Sequence, residues 1–215
     1  MKIAIIGATG FVGSAILNEL AQRGSQITAI ARTPKDEEKD GITWVKADVT
    51  HTDELVAALK GSDAVISAYN PGWTNPNIYE DSIAGSKAIQ EAVKLSGVKR
   101  FIVIGGGGSL FVAEGVQAVD TPDFPKEIYA GASAARDYLN IIKEEKDLDW
   151  AFFSPAFEMH QGTTTGRTGK YRLGLENPVF DENQRSILSV EDLAVVIADE
   201  IENPKHHQVR FTAGY

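Results

Sequence analysis

The sequence predicts an α/β fold: a doubly wound parallel sheet with helices on both faces and a small C-terminal annex. Three observations predict it. Short β-branched runs alternate with stretches of helical period, the first run ends in a glycine-rich turn, and the alternation lapses only over residues 155–186. Parallel neighbours need a crossover connection, so a strand–helix–strand rhythm is that of a parallel sheet. A chain of 215 residues, 43% apolar and 24% charged, fits one globular unit spanning 1–215, large enough to bury a core without staples.

Residues 2–6 form a β-branched run closed by Gly7, the pattern of a strand buried on both faces. Phe11, Val12, Ala15, Ile16 and Leu20 then fall at helical spacing, and Arg23-Gly24 ends the segment. Residues 26–31 and 42–45 read as strands, 53–59 as a short helix and 64–67 as a strand. A helix over 81–95, a strand over 100–104, a helix over 128–146 and a strand over 150–153 follow. Pro155, Gly162, Gly166, Gly169, Gly174 and Pro178 then make 155–186 a loop with a short hairpin, the expected substrate annex. Ser189-Val190-Glu191-Asp192 resembles a capping box before a helix over 193–201, and 209–212 reads as the last strand. The charged run 36–40 reads as a solvated loop.

Composition excludes several chemistries. With no Cys there is no disulfide, thiolate nucleophile or Cys-ligated metal. Thirty acids against 21 Lys and Arg give a net charge of −9, which repels polyanions, so nucleic acid is not expected as a partner. No secretory or membrane-spanning apolar run is present, and a cytoplasmic location is expected. His51, His160, His206 and His207 have no acid cluster around them, and no metal site is expected. The oligomeric state is left open.

The strongest motif is Gly7-Ala8-Thr9-Gly10-Phe11-Val12-Gly13, set between the first strand and the first helix. There backbone N–H groups and the positive helix end hold a dinucleotide pyrophosphate, with Gly7, Thr9, Gly10, Phe11, Val12 and Gly13 as the binding residues. The spacing is G-x-x-G-x-x-G. At the end of the second strand stands Arg32 with no acid beside it, which favours the 2′-phosphate of NADP(H) over NAD(H). Asp48 and Val49 are placed for the adenine, while Ala68, Tyr69 and Asn70 follow the fourth strand along the cofactor's middle. Trp73, in a proline-rich loop at the same edge, is placed either as a lid over the substrate or as a side chain packed on the sheet.

These motifs, with Ala47-Asp48-Val49, Ser154-Pro155-Ala156 and Ser189-Val190-Glu191-Asp192-Leu193-Ala194, resemble the atypical short-chain dehydrogenase/reductase group over essentially the whole chain. Within it the chain is most similar to the bacterial NADH-flavin reductases and more distantly to biliverdin-IXβ/flavin reductase. The resemblance implies a Rossmann fold, a nicotinamide cofactor, hydride transfer and cofactor contacts at Pro155 and Ala156.

One departure bears on mechanism. The family's acid is a tyrosine followed four positions later by lysine, but Tyr129 is followed by Ser133. That disfavours a sugar epimerase or dehydratase, which moves a proton to or from oxygen. Beside it, Gly105 and Gly106 open a glycine run where the family often has a catalytic hydroxyl, with Ser109 as a possible substitute. A flavin acceptor tolerates the missing relay, since it needs only to be stacked on the nicotinamide. Phe157, His160 and Tyr171, with Arg167, Lys170 and Arg172, are the annex residues expected to meet it. Three functions stay open: an NADPH-dependent reductase of free flavin, a reductase of a quinone or small carbonyl using Tyr129 or Ser109 as proton donor, and a non-catalytic NADP(H)-sensing regulator.

Overall fold

In the computed structural model, which describes residues 1–37 and 39–215, eight strands form one sheet in the order β3-β2-β1-β4-β5-β8-β10-β9. In chain order the elements are β1 (Lys2–Ile6), α1 (Phe11–Gln22), β2 (Gln26–Ala31), β3 (Ile42–Lys46), α2 (Thr52–Leu59), β4 (Ala64–Ser67), α3 (Ile78–Ser96) and β5 (Arg100–Ile104). There follow the hairpin β6 (Phe111–Ala113) and β7 (Val116–Gln117), then α4 (Lys126–Ile142), β8 (Asp149–Phe153), β9 (Arg172–Gly174), α5 (Val190–Glu202) and β10 (Val209–Gly214). Every pairing from β3 through to β10 is parallel, and β9 alone runs antiparallel, against β10.

Two buried layers sandwich this sheet. Ile3, Ile5, Ile66 and Ile102 face Ile16, Leu20, Leu193 and Ile197, the apolar stripes of α1 and α5. Ala4, Ile6, Val65 and Phe101 face Leu55, Ile89, Val93, Leu139 and Ile142 of α2, α3 and α4. The central strands are therefore buried on both sides, which explains their unbroken apolar sequences. Among the described residues no helix is long and apolar enough to cross a membrane.

Where the elements depart from the sequence reading, tertiary contacts set the boundary. Helix α3 starts three residues earlier than expected, at Ile78, because Asn75 Oδ1 accepts the Asn77 N–H and turns the chain into it. Helix α4 starts at Lys126 and stops at Ile142, short of the expected 146. There the buried Glu145 accepts the Asp147 N–H at 2.7 Å and the Gln90 amide at 2.9 Å, which bends the backbone toward β8. The annex holds no internal hairpin: β9 adds to the sheet edge, and the hairpin lies at 111–117. Of the charged run 36–40, Glu38 lies outside the described residues and the rest is exposed.

The expected capping box is half realised. Ser189 Oγ accepts the Asp192 N–H at 3.1 Å, but the fully buried Asp192 carboxylate faces a strap over 166–171. It accepts from the N–H groups of Thr168 and Gly169, from the Thr168 hydroxyl at 2.6 Å and from the Tyr215 hydroxyl at 2.7 Å. Just before Thr168, Arg167 reaches Glu19, and the strap ends with the Tyr171 hydroxyl donating to Asp199 at 2.5 Å.

Candidate active site

Strand order reverses between β1 and β4, and at such a switch point the carboxyl ends of an open parallel sheet leave a crevice for ligands. The glycine motif fills that position. Gly7 has φ +80°, and a Cβ there would stand 2.6 Å from Ala68 O, so the residue needs both its conformational freedom and its missing side chain. On Gly13 a Cβ would lie 2.2 Å from Gly7 O; its absence lets α1 sit directly on the turn. The N–H groups of Gly7 and Ala8 donate to Ile30 O, and that of Gly10 donates to Gly7 O at 3.0 Å. These three amides build the turn.

The amides of Phe11, Val12 and Gly13 open the first turn of α1, where no preceding carbonyl reaches them. The N-cap is Gly10, with no side chain to satisfy them, and no acid stands in that turn. Helices α2, α3, α4 and α5 each carry an acid in the first turn. Helix α1 thus presents an uncompensated positive end above a cradle that any side chain at Gly7 or Gly13 would fill, a fit for a dinucleotide pyrophosphate.

Arg32 is exposed just past β2. Asp48 Oδ1 accepts from the Thr50 N–H at 3.0 Å and the Thr50 hydroxyl at 2.8 Å, hydrogen bonds that hold its carboxyl below the ordinary carboxylate range; nearby Arg32 adds to the effect. The Tyr69 ring lies over the start of α3, its hydroxyl donating to Asp81 O at 3.1 Å. It lies so close over α3 that a Cβ on Gly85 would be 2.4 Å away. The backbone of 68–69 is therefore what borders the glycine turn. Asn70 Oδ1 accepts the Gly72 N–H at 2.7 Å and shapes the Trp73 loop.

Beyond β5 the glycine run is demanded by protein packing. A Cβ would strike the Phe152 ring from Gly105, 2.0 Å away, and Pro155 O from Gly107, 2.6 Å away. Around this run an arc of aromatic rings forms from separate elements. Phe157 lies against Gly107, Phe124 against Gly108, and Tyr129 meets Phe124 edge to face at 6.3 Å. Trp73 Cζ3 is 2.7 Å from where a Gly131 Cβ would be. Trp73, Tyr129 and Phe157 remain 59%, 49% and 40% exposed.

Several expected site residues stand elsewhere. Ser109 is corrected from proton donor to structural pin. It is fully buried, its hydroxyl bonds Gly106 O and Ser154 Oγ at 2.8 Å each, and its carbonyl accepts from the buried Arg210. Tyr171 is corrected too: it packs beside the last turn of α5, at the sheet's amino edge, because Asp199 binds its hydroxyl there. His160 Nδ1 accepts the Gly162 N–H at 3.0 Å and closes its own turn. Arg167 pairs with Glu19, Arg172 donates to the carbonyls of Phe180 and Tyr215, and Lys170 lies on the strap between them. Sequence reasoning missed the seats of Trp73 and Tyr69; the signal was an unexplained glycine, Gly131 or Gly85, inside a helical pattern.

Clefts of about 400 Å³ beside Tyr171 and about 810 Å³ over the first residues of β1 to β3 also mark the surface. Both lie at the amino edge, where helices end, so neither offers the amide-rich helix start that an anionic cofactor needs.

A model of the NAD(P)H-binding family matches residues 7–204. The uncharacterised protein YwnB of Bacillus subtilis is 34% identical over 99% of this chain and 97% of its own. The solved structure of a putative epimerase from Bacteroides thetaiotaomicron is 46% identical, covers 100% of this chain and 96% of its own, and superposes with a TM-score of 0.91. That of a putative NADH-flavin reductase from Streptococcus pneumoniae is 32% identical, with coverages of 100% and 99% and a TM-score of 0.85.

Proposed function

The chain belongs to the NAD(P)H-binding family of Rossmann-fold proteins, and from that premise we propose that it is a reductase passing hydride from NADPH to a free flavin. The observation that carries the reading is the open first turn of α1, three amides and no acid, on a turn walled by Gly7 and Gly13. In this reading the amides of Phe11, Val12 and Gly13 hold the pyrophosphate, with Thr9 and Gly10 lining the approach. Arg32 meets the 2′-phosphate, whose charge an NADH-specific site would exclude with an acid. Asp48 and Val49 border the adenine; the backbone of Ala68 and Tyr69, with Asn70, borders the middle of the cofactor. Gly105, Gly106, Pro155 and Ala156 border the nicotinamide. Of residues 155–186, only the stretch at Phe157 stands on the substrate side, where Phe157 and Trp73 serve as walls.

When bound, the reduced nicotinamide supplies two electrons and one proton as hydride to the flavin ring, and one proton from water completes the dihydroflavin. The chain's own task is to align two flat rings and exclude competing acceptors. The name of the Bacteroides relative raises epimerisation, which needs a base at a sugar oxygen. Here the position four residues past Tyr129 is Ser133, buried and without a hydrogen-bond partner, so the lysine that would support such a tyrosine is missing from that position.

The exposed Tyr129 favours one rival: a quinone or small carbonyl reduced with Tyr129 as proton donor. Mixing protein, NADPH and free flavin while following absorbance at 340 nm tests the main reading; loss of NADPH supports it, and binding without loss identifies a sensor. Tyr129→Phe separates the two chemistries, since hydride transfer alone survives the change and proton donation does not.

A further inference from the structure

The charge around the aromatic arc is lopsided. Segment 120–127, which carries Phe124 and leads into α4, holds Asp120, Asp123 and Glu127 against Lys126. Arg136, the next cation along α4, is already shared between Asp120 at 2.9 Å and Asp137 at 2.5 Å. On the annex side Arg185 is paired with Glu158, and Arg167 and Arg172 are committed to Glu19 and to backbone carbonyls. Four carboxylates thus face two cations on the α4 wall, in a molecule of net charge −9. Flat apolar walls with a negative rim attract planar rings and repel anions.

Resting on the reading of this site as a reductase of a planar acceptor, we infer that the acceptor is uncharged, a two-electron ring system such as riboflavin or a quinone, and that phosphate-bearing flavins are rejected. The discriminating element is repulsive. A phosphate dianion on the ribityl tail brings two negative charges toward Asp123 and Glu127; of the two cations on that wall, Arg136 is held by Asp120 and Asp137, and Lys126 is outnumbered by the acids on either side of it. The ring itself is what Trp73, Tyr129 and Phe157 recognise, by stacking that is indifferent to the tail.

The test is equilibrium titration of the protein saturated with NADP⁺, reading flavin fluorescence with riboflavin and FMN in parallel and using menadione as a competitor. The same three acceptors are then followed by NADPH oxidation. Riboflavin is expected to bind at least about tenfold more tightly than FMN, with the gap narrowing as salt is raised. Replacing both acids, Asp123→Asn with Glu127→Gln, narrows it in the same way. Menadione as the sole tight ligand assigns the uncharged acceptor to the quinones. FMN binding as well as riboflavin overturns the inference, as does a gap that neither salt nor the double variant changes, or no binding by any of the three. Tight riboflavin binding with no NADPH oxidation by any acceptor overturns the reductase reading instead and leaves the charge preference standing.

Discussion

Two helices packed side by side on the same face of the sheet begin in opposite ways. Helix α5 is complete in itself: Ser189 caps the Asp192 amide, and Glu191 and Asp192 compensate the positive end. The Asp192 carboxylate is then used up by Thr168, Gly169 and Tyr215. Helix α1 begins with a glycine cap and no acid, and its first-turn amides are left open. The same local physics, orphan donors at a positive helix end, is spent on structure in one helix and left open in the other. The difference lies wholly in which side chains are withheld.

The largest expected effect comes from filling the open end. Gly13→Val drives a side chain into Gly7 O, and calorimetry is expected to show NADPH affinity falling by at least about 100-fold, or ~2.7 kcal/mol. The complementary change at the closed end, Asp192→Ala, removes the acceptor of four donor groups, the N–H groups of Thr168 and Gly169 and the hydroxyls of Thr168 and Tyr215. It is expected to cost about 3 kcal/mol in denaturant unfolding with cofactor affinity unchanged. If Asp192→Ala weakened NADPH as much as Gly13→Val does, the division between the two helix starts would fail.

Smaller changes sharpen the contrast. Arg32→Ala is expected to weaken NADPH by about 2 kcal/mol and NADH hardly at all; equal loss of both removes Arg32 from the 2′-phosphate. Ser109→Ala is expected to lower stability by about 1 kcal/mol and leave kcat unchanged, since the hydroxyl is a buried pin. The smallest effect is on pH dependence. Arg167, joined by Arg23, holds the Glu19 carboxyl below its ordinary value of 4.5. A depressed carboxylate stabilises the fold above its unfolded value, and that contribution vanishes as pH falls through the folded value. Arg167 is half exposed, so the solvent-screened contribution is about 1 kcal/mol or less. The melting-temperature difference between wild type and Glu19→Gln is expected to shrink once pH drops below 4.5.

Much of this was legible in the letters. Strands β1, β2, β4 and β5 have the boundaries their β-branched runs imply, because burial on both faces leaves no ambiguity of period. The three glycines of the first turn announced their place through spacing and context. What could not be read were contacts between distant segments. A serine after four glycines reads as an exposed loop, yet Ser154 and Arg210 bury it. Tyr171 sits in a loop expected at the substrate, yet its bond to Asp199 draws it along α5 to the opposite edge. Helix α4 ends early because Gln90, on a different helix, helps fix Glu145. Periodicity carries no information about partners so remote in sequence.

The central claim concerns which helix start receives the cofactor, and backbone amide NMR addresses it residue by residue. On titrating labelled protein with NADP⁺, the resonances of Phe11, Val12 and Gly13 are expected to move most, while those of Val190, Glu191 and Asp192 stay in place. Saturation with the dinucleotide and no movement at residues 11–13 would contradict the account.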